Sequence, residues 1–221
     1  MTIIEDDPAT ASAVTVGGDM TVLRLLFVCT GNICRSPSAE YLLRARLRSM
    51  LGDDGDCFAL SSAGVGTPGG WELDPKIAQL LTGVGIDPDG QFRSRRVDAA
   101  VLGDADLILT GTKQHRLAIG ADFPEAYSRT FTMREAAALF ASPETAALPR
   151  HDLVQRGQAA VALLQRARST RALRDDEVDI ADPYGRRTSE YQTMFREVAS
   201  VVDVLSFVLA PATARSWKRR N

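Results

Sequence analysis

Cysteine, histidine and aromatic side chains are all scarce in this 221-residue chain, which holds three Cys, two His and 6% Phe, Trp and Tyr. Cys29, Cys34 and Cys57 are odd in number and not spaced as a disulfide framework, so the chain reads as one made for a reducing cytoplasm. His115 and His151 stand far apart in sequence, which suits chemistry without a metal, and no cofactor is expected. Excess positive charge is missing too. A formal net charge of −2 argues against nucleic acid or an anionic membrane surface as partner. No stretch reaches the roughly 18 consecutive apolar residues of a membrane span. The first 21 residues lack both a cationic n-region and a long apolar run, which excludes a signal peptide. Their small, acidic composition reads as a disordered leader. Met20 lies just before the first strand, which leaves an internal start site open.

What is present is an ordinary globular composition, 45% hydrophobic and 24% charged, long enough to bury a real core in one domain. Val22 to Val28 is an apolar run that suits a buried parallel strand. From Ser36 the pattern turns helical, with Ala39, Leu42, Leu43, Leu47, Met50 and Leu51 on one face. Phe58 to Ser62 reads as a second strand, and 63–70 as a mobile loop by its glycine and proline content. Asp74-Pro75 opens a helix running to about Leu81. Ala105 to Thr110 is a third strand flanked by short helices, Thr130-Phe131 marks a fourth, and 133–140 is helical. Residues 141–178 read as an inserted amphipathic helix followed by a charged loop. A last helix spans Ser189 to Leu209, and 211–221 is a basic tail.

Strands alternating with helices give an α/β fold, a flavodoxin-like or Rossmann-like parallel sheet of about four strands with helices on both faces. The single domain is expected over 22–210. In such folds the ligand sits at the carboxyl ends of the strands, where the first strand runs into Cys29-Thr30-Gly31-Asn32-Ile33-Cys34-Arg35-Ser36-Pro37. A loop feeding a helix can aim successive N–H groups at an oxyanion, with the positive helix terminus behind them. Gly31 and Asn32 tolerate the left-handed backbone such a curl needs. Ser36 is expected at the N-cap and Pro37 at the first helical position. Arg35 can grip two oxygens with its planar fork. The same field favours the thiolate of Cys29, a nucleophile to which Ser36 can donate.

Transfer from a phosphate ester also needs an acid for the leaving oxygen. Asp182-Pro183-Tyr184, in a loop before the last helix, offers a carboxyl on a stiffened backbone beside an aromatic wall. Together these motifs resemble the low-molecular-weight protein-tyrosine phosphatases, over roughly Val22 to Ala210 with gaps. The resemblance implies Cys29 as nucleophile, Arg35 as phosphate clamp and Asp182 as general acid and base. It implies Thr30, Gly31, Asn32, Ile33, Cys34, Ser36 and Tyr184 as the substrate-binding residues. The partner it implies is a phosphotyrosine protein, in the setting of bacterial tyrosine kinases of polysaccharide export. The chain departs from the pattern at Gly185, where many members carry a second tyrosine, in its glycine-rich 64–70 segment, and in its insertion.

Three other functions share parts of this pattern. A phosphoarginine phosphatase tends to carry threonine where Ile33 stands. An arsenate reductase needs a relay of cysteines, and none follows Cys57. A non-catalytic phosphotyrosine reader gains nothing from Asp182. Cys34 is either a small core residue or a resolving thiol that pairs reversibly with Cys29 on oxidation. Trp71 is a second candidate wall, and Arg93, Arg95 and Arg96 read as a solvated cluster.

Overall fold

The computed structural model describes residues 22–88, 90–170 and 178–211. The expected leader, most of the charged loop after the insertion and nearly all of the basic tail lie outside these. Strands β1 (Leu23–Cys29), β2 (Phe58–Gly64), β3 (Leu107–Thr110) and β4 (Thr130–Thr132) form one parallel sheet in the order β2-β1-β3-β4. Between and after them come α1 (Arg35–Leu51), α2 (Pro75–Gly83), α3 (Ala99–Gly103), α4 (Lys113–Asp122), α5 (Met133–Phe140), α6 (Leu153–Thr170) and α7 (Thr188–Leu209).

The two-residue alternation of β1 explains the layers. Leu23, Leu25 and Phe27 face a core shared with α1, α5, α6 and α7, whereas Leu26 and Val28 face a smaller one with α3 and α4. A strand buried on both faces has no polar side, which is why β1 is apolar throughout apart from the exposed Arg24 near its start. Each fully buried Leu or Phe contributes about 1.5–3 kcal/mol. Together they fix β1 as the central axis, and its carboxyl end as a rigid mount.

Two local expectations change. The first helix begins at Arg35, with Cys34 at its N-cap position, so Ser36 and Pro37 both lie inside the first turn. The carbonyl of Cys34 accepts from the Ser38 hydroxyl at 2.7 Å and the Ser38 amide at 3.1 Å, and no side chain caps the helix. Nor is 63–70 a free loop. Ala63 and Gly64 complete β2, Val65 N donates to Cys29 O at 2.9 Å, and Gly66 N donates to Thr30 O at 2.9 Å. Its glycines serve close approach. A Cβ on Gly64 would stand 2.5 Å from the Thr30 carbonyl oxygen.

The inserted α6 is part of the structure rather than an appendage. It packs so closely on β1 that a Cβ at Gly157 would overlap the Leu23 side chain. Arg168 reaches from it to the outer edge of β4, donating to the carbonyls of Thr130 and Tyr127. The Arg168 guanidinium lies 3.6 Å over the Phe131 ring and 3.3 Å from Glu135, a buried carboxylate also paired with Arg116 at 2.6 Å.

Candidate active site

The loop leaving β1 is held by its carbonyls. Those of Cys29 and Thr30 accept from Val65 and Gly66, that of Ile33 accepts from Asp74 N at 3.2 Å, and that of Cys34 is held by Ser38. In a trans peptide a carbonyl and the following N–H point opposite ways. With these carbonyls turned to neighbouring elements, the amides of Thr30, Gly31, Cys34 and Arg35 are left to face the loop interior. The N-terminus of α1, 17 residues long, adds its partial positive charge behind them. This is a cradle for a tetrahedral anion.

Asn32 supplies the curl. It is the one non-glycine residue among those described with positive φ, at 54°. Its side chain holds that backbone from both ends. Nδ2 donates to Ser62 Oγ at 2.8 Å and Ser36 Oγ at 3.0 Å, and Oδ1 accepts from Arg95 N at 2.9 Å. Cys29 Sγ lies 3.1 Å from Ser36 Oγ. Cys34 is buried and burial pushes its thiol pKa up, with Asp74 acting in the same direction. That environment suits the core role for Cys34, and all three cysteines are free thiols.

Arg35 is 3% exposed, and both of its terminal nitrogens are directed. Nη1 donates to Ile180 O at 3.2 Å, while Nη2 donates to Thr30 Oγ1 at 3.1 Å and to Asp182 Oδ2 at 2.6 Å. Asp182, 147 positions later in the chain, therefore arrives at the same loop, with its side chain 45% exposed. Its own loop is stitched down by residues that the sequence did not single out. Ile180 N donates to Gly111 O at 2.8 Å, Asp179 Oδ1 accepts from Lys113 N at 2.6 Å, and Lys76 Nζ donates to Arg186 O at 2.9 Å. Tyr191 of α7 donates to Asp74 Oδ2 at 2.9 Å, joining the last helix to the N-cap of α2.

The mouth is aromatic and apolar. Ile33 and the Trp71 ring both lie within 3.8 Å of where a Gly31 Cβ would stand, and Trp71 is 47% exposed. Tyr184, 63% exposed, follows Asp182 and donates its amide to Asp182 Oδ1 at 3.2 Å. Arg95 is exposed, as are Arg93 and Arg96, yet it is tied to the site, since it also donates Nε to Ser62 O at 2.8 Å. Ser62, Gly64, Arg95 and His115 all border this loop, and no sequence motif marks them. The His115 imidazole, 6% exposed, lies 2.9 Å from Thr30 Oγ1. Its pKa is lowered to about 4, first by burial and then by Arg35. Among the described residues no group of His, Cys, Asp and Glu is placed to hold a metal ion.

A thiol under an anion cradle, with a buried guanidinium and a carboxyl brought to the same rim, defines the class: a cysteine-dependent phosphoric monoester hydrolase on a parallel α/β sheet. The sequence model of the low molecular weight phosphotyrosine protein phosphatases matches residues 24–141, and the chain belongs to that family. It is 32% identical to the low molecular weight protein-tyrosine-phosphatase Ptp of Acinetobacter johnsonii over 114 residues, 52% of this chain and 74% of that one. It is 35% identical to a protein-arginine-phosphatase of Geobacillus stearothermophilus over 112 residues, 51% and 70% of the two chains. The solved low molecular weight protein tyrosine phosphatase of T. tengcongensis superposes with a TM-score of 0.60 at 26% identity, over 83% of this chain and 97% of that one.

Proposed function

We propose that this chain hydrolyses phosphotyrosine in proteins through a phosphocysteine intermediate. The observation that carries the reading is the meeting of Cys29, Arg35 and Asp182 at one loop, with Arg35 and Asp182 2.6 Å apart. Cys29 Sγ attacks phosphorus; the S–P bond forms as the P–O bond to tyrosine breaks, and protonated Asp182 gives its proton to the leaving phenolic oxygen. Asp182, now a carboxylate, takes a proton from water as that water attacks the phosphocysteine. The S–P bond breaks, inorganic phosphate leaves and the thiolate returns. The Arg35 guanidinium and the amides of Thr30, Gly31, Cys34 and Arg35 bind the equatorial oxygens. Asn32 holds the curl, and Ser36 donates to the sulfur.

The relative named for arginine phosphatase brings a second substrate into range. Ile33 and Trp71, both beside the Gly31 Cα, favour the flat phenyl ring, and Tyr184 adds a wall on the acid's side. Substrate is therefore a phosphotyrosine protein. On the family likeness we place it among the bacterial tyrosine kinases of polysaccharide export, and with three free thiols we place the enzyme in the cytoplasm. No helix among the described residues is long and apolar enough to cross a membrane. We further propose that 22–210 acts as one phosphatase domain with the insertion integral to it.

Phosphate release from matched phosphotyrosine, phosphoserine and phosphoarginine peptides tests this directly. Phosphotyrosine turnover is expected to dominate, to vanish in Cys29→Ser and to fall by about 10²–10⁴ in Asp182→Asn. Preferred release from phosphoarginine would reassign the substrate. Tight phosphotyrosine binding with no release would make the chain a reader.

A further inference from the structure

The phosphate clamp has a support that the chemistry above does not use. Arg35 can only donate hydrogen bonds, so Thr30 Oγ1, 3.1 Å from Nη2, is the acceptor there. The hydroxyl's own proton is then available to His115 Nε2 at 2.9 Å. An imidazole that accepts at Nε2 carries its proton on Nδ1, and Nδ1 is buried with no partner among the described residues. Leaving a buried polar group unpaired is unfavourable. A leucine or phenylalanine would fill the same space without it, so packing alone does not account for a histidine here.

The surroundings hold the ring in place. His115 lies in the first turn of α4, whose N-cap Thr112 accepts from the His115 amide at 3.2 Å. A Cβ on Gly111 would stand 3.5 Å from both His115 Nδ1 and Arg35 Cδ, so the glycine lets the ring lie alongside the arginine stem. The same Gly111 carbonyl anchors Ile180, whose own carbonyl accepts from Arg35 Nη1. Burial and the neighbouring guanidinium keep the imidazole neutral and able to accept.

We propose that His115 is a positioning residue for the clamp: through the Thr30 hydroxyl it fixes the plane of the Arg35 guanidinium for phosphate. The need follows from Asp182. When the acid turns to serve the leaving oxygen it gives up Arg35 Nη2, and Thr30 is then the side chain that still orients that nitrogen. His115 keeps the Thr30 oxygen facing it.

This rests on the phosphatase reading, but the test separates the two. Calorimetric binding of inorganic phosphate reads the clamp without turnover, and steady-state kinetics on a phosphotyrosine peptide reads it with turnover. Thr30→Val and His115→Leu are each expected to weaken phosphate binding and kcat/KM by about tenfold. In the double variant the second change adds less than about twofold, since both break one chain of bonds. His115→Gln, whose side-chain oxygen can accept from Thr30, and Thr30→Ser recover most of the loss. Fold-losses that multiply in the double variant would overturn the proposal, as would a His115→Gln protein no better than His115→Leu. If His115→Leu fails to fold, Thr30→Val against Thr30→Ser still decides, because unchanged phosphate affinity in Thr30→Val sinks the idea. Absence of phosphotyrosine turnover in the wild type, with the coupling to phosphate binding intact, would instead count against the phosphatase reading.

Discussion

The Ser36 hydroxyl has one proton and two places to put it. Asn32 Nδ2 occupies it as an acceptor at 3.0 Å, and it lies 3.1 Å from Cys29 Sγ and 3.3 Å from the Ala63 carbonyl oxygen. A thiolate is the stronger claim, because a hydrogen bond to an ion is about twice as strong as one between neutral groups. His115 makes a prediction at the same scale. Its folded-state pKa is about 4 against an ordinary 6.5, so between those values the unfolded chain binds a proton that the folded chain does not. The stability tied to this residue is fully present above about pH 6.5 and falls as pH drops toward 4, roughly 2 kcal/mol of it between pH 7 and pH 5. Urea unfolding at those two pH values should show a smaller loss in His115→Gln than in the wild type. Equal losses in both would mean that His115 is not held neutral.

Among the elements, α6 tests whether an insertion can become structure. Arg168→Ala removes bonds to two carbonyls and one partner of the buried Glu135. Unfolding should be easier by about 1–3 kcal/mol, while phosphotyrosine turnover of the folded protein is retained because no atom of Arg168 reaches the site. An unchanged denaturation midpoint would show α6 to be an ornament. Elements also explain what the sequence could and could not say. The strand-to-loop-to-helix unit from Leu23 to Leu51 is local: its apolar run, its Gly-Asn turn and its cysteine-arginine spacing lie on consecutive residues. Ser62, Arg95 and His115 meet that loop from 30, 63 and 85 positions away, and no periodicity records such pairings. The Ser-Pro pair misled for a physical reason, since a hydroxyl at a helix start can serve a backbone amide or a sulfur. The glycines of 63–70 misled likewise, because low side-chain volume signals flexibility and tight backbone approach alike.

At the scale of the molecule, the sheet and both cores are built from residues between Leu23 and Ala210. Deleting residues 1–21 and those after Pro211 should leave the melting temperature within about 4 °C and phosphotyrosine kcat/KM within about twofold of the full chain; a larger loss of either would give those ends a part in the enzyme. The loop before α7 supplies Ile180 and Asp182 to Arg35, at the end of a loop that starts at Cys29, and α7 supplies Tyr191 to Asp74 beside it. A ribosome adds residues in the other order. On the proposed mechanism the emerging chain carries Cys29 for most of its synthesis without Asp182, and hydrolysis is among the last properties it acquires. On that mechanism a chain that stalls before Asp182 has the anion cradle and lacks the group that drives its turnover.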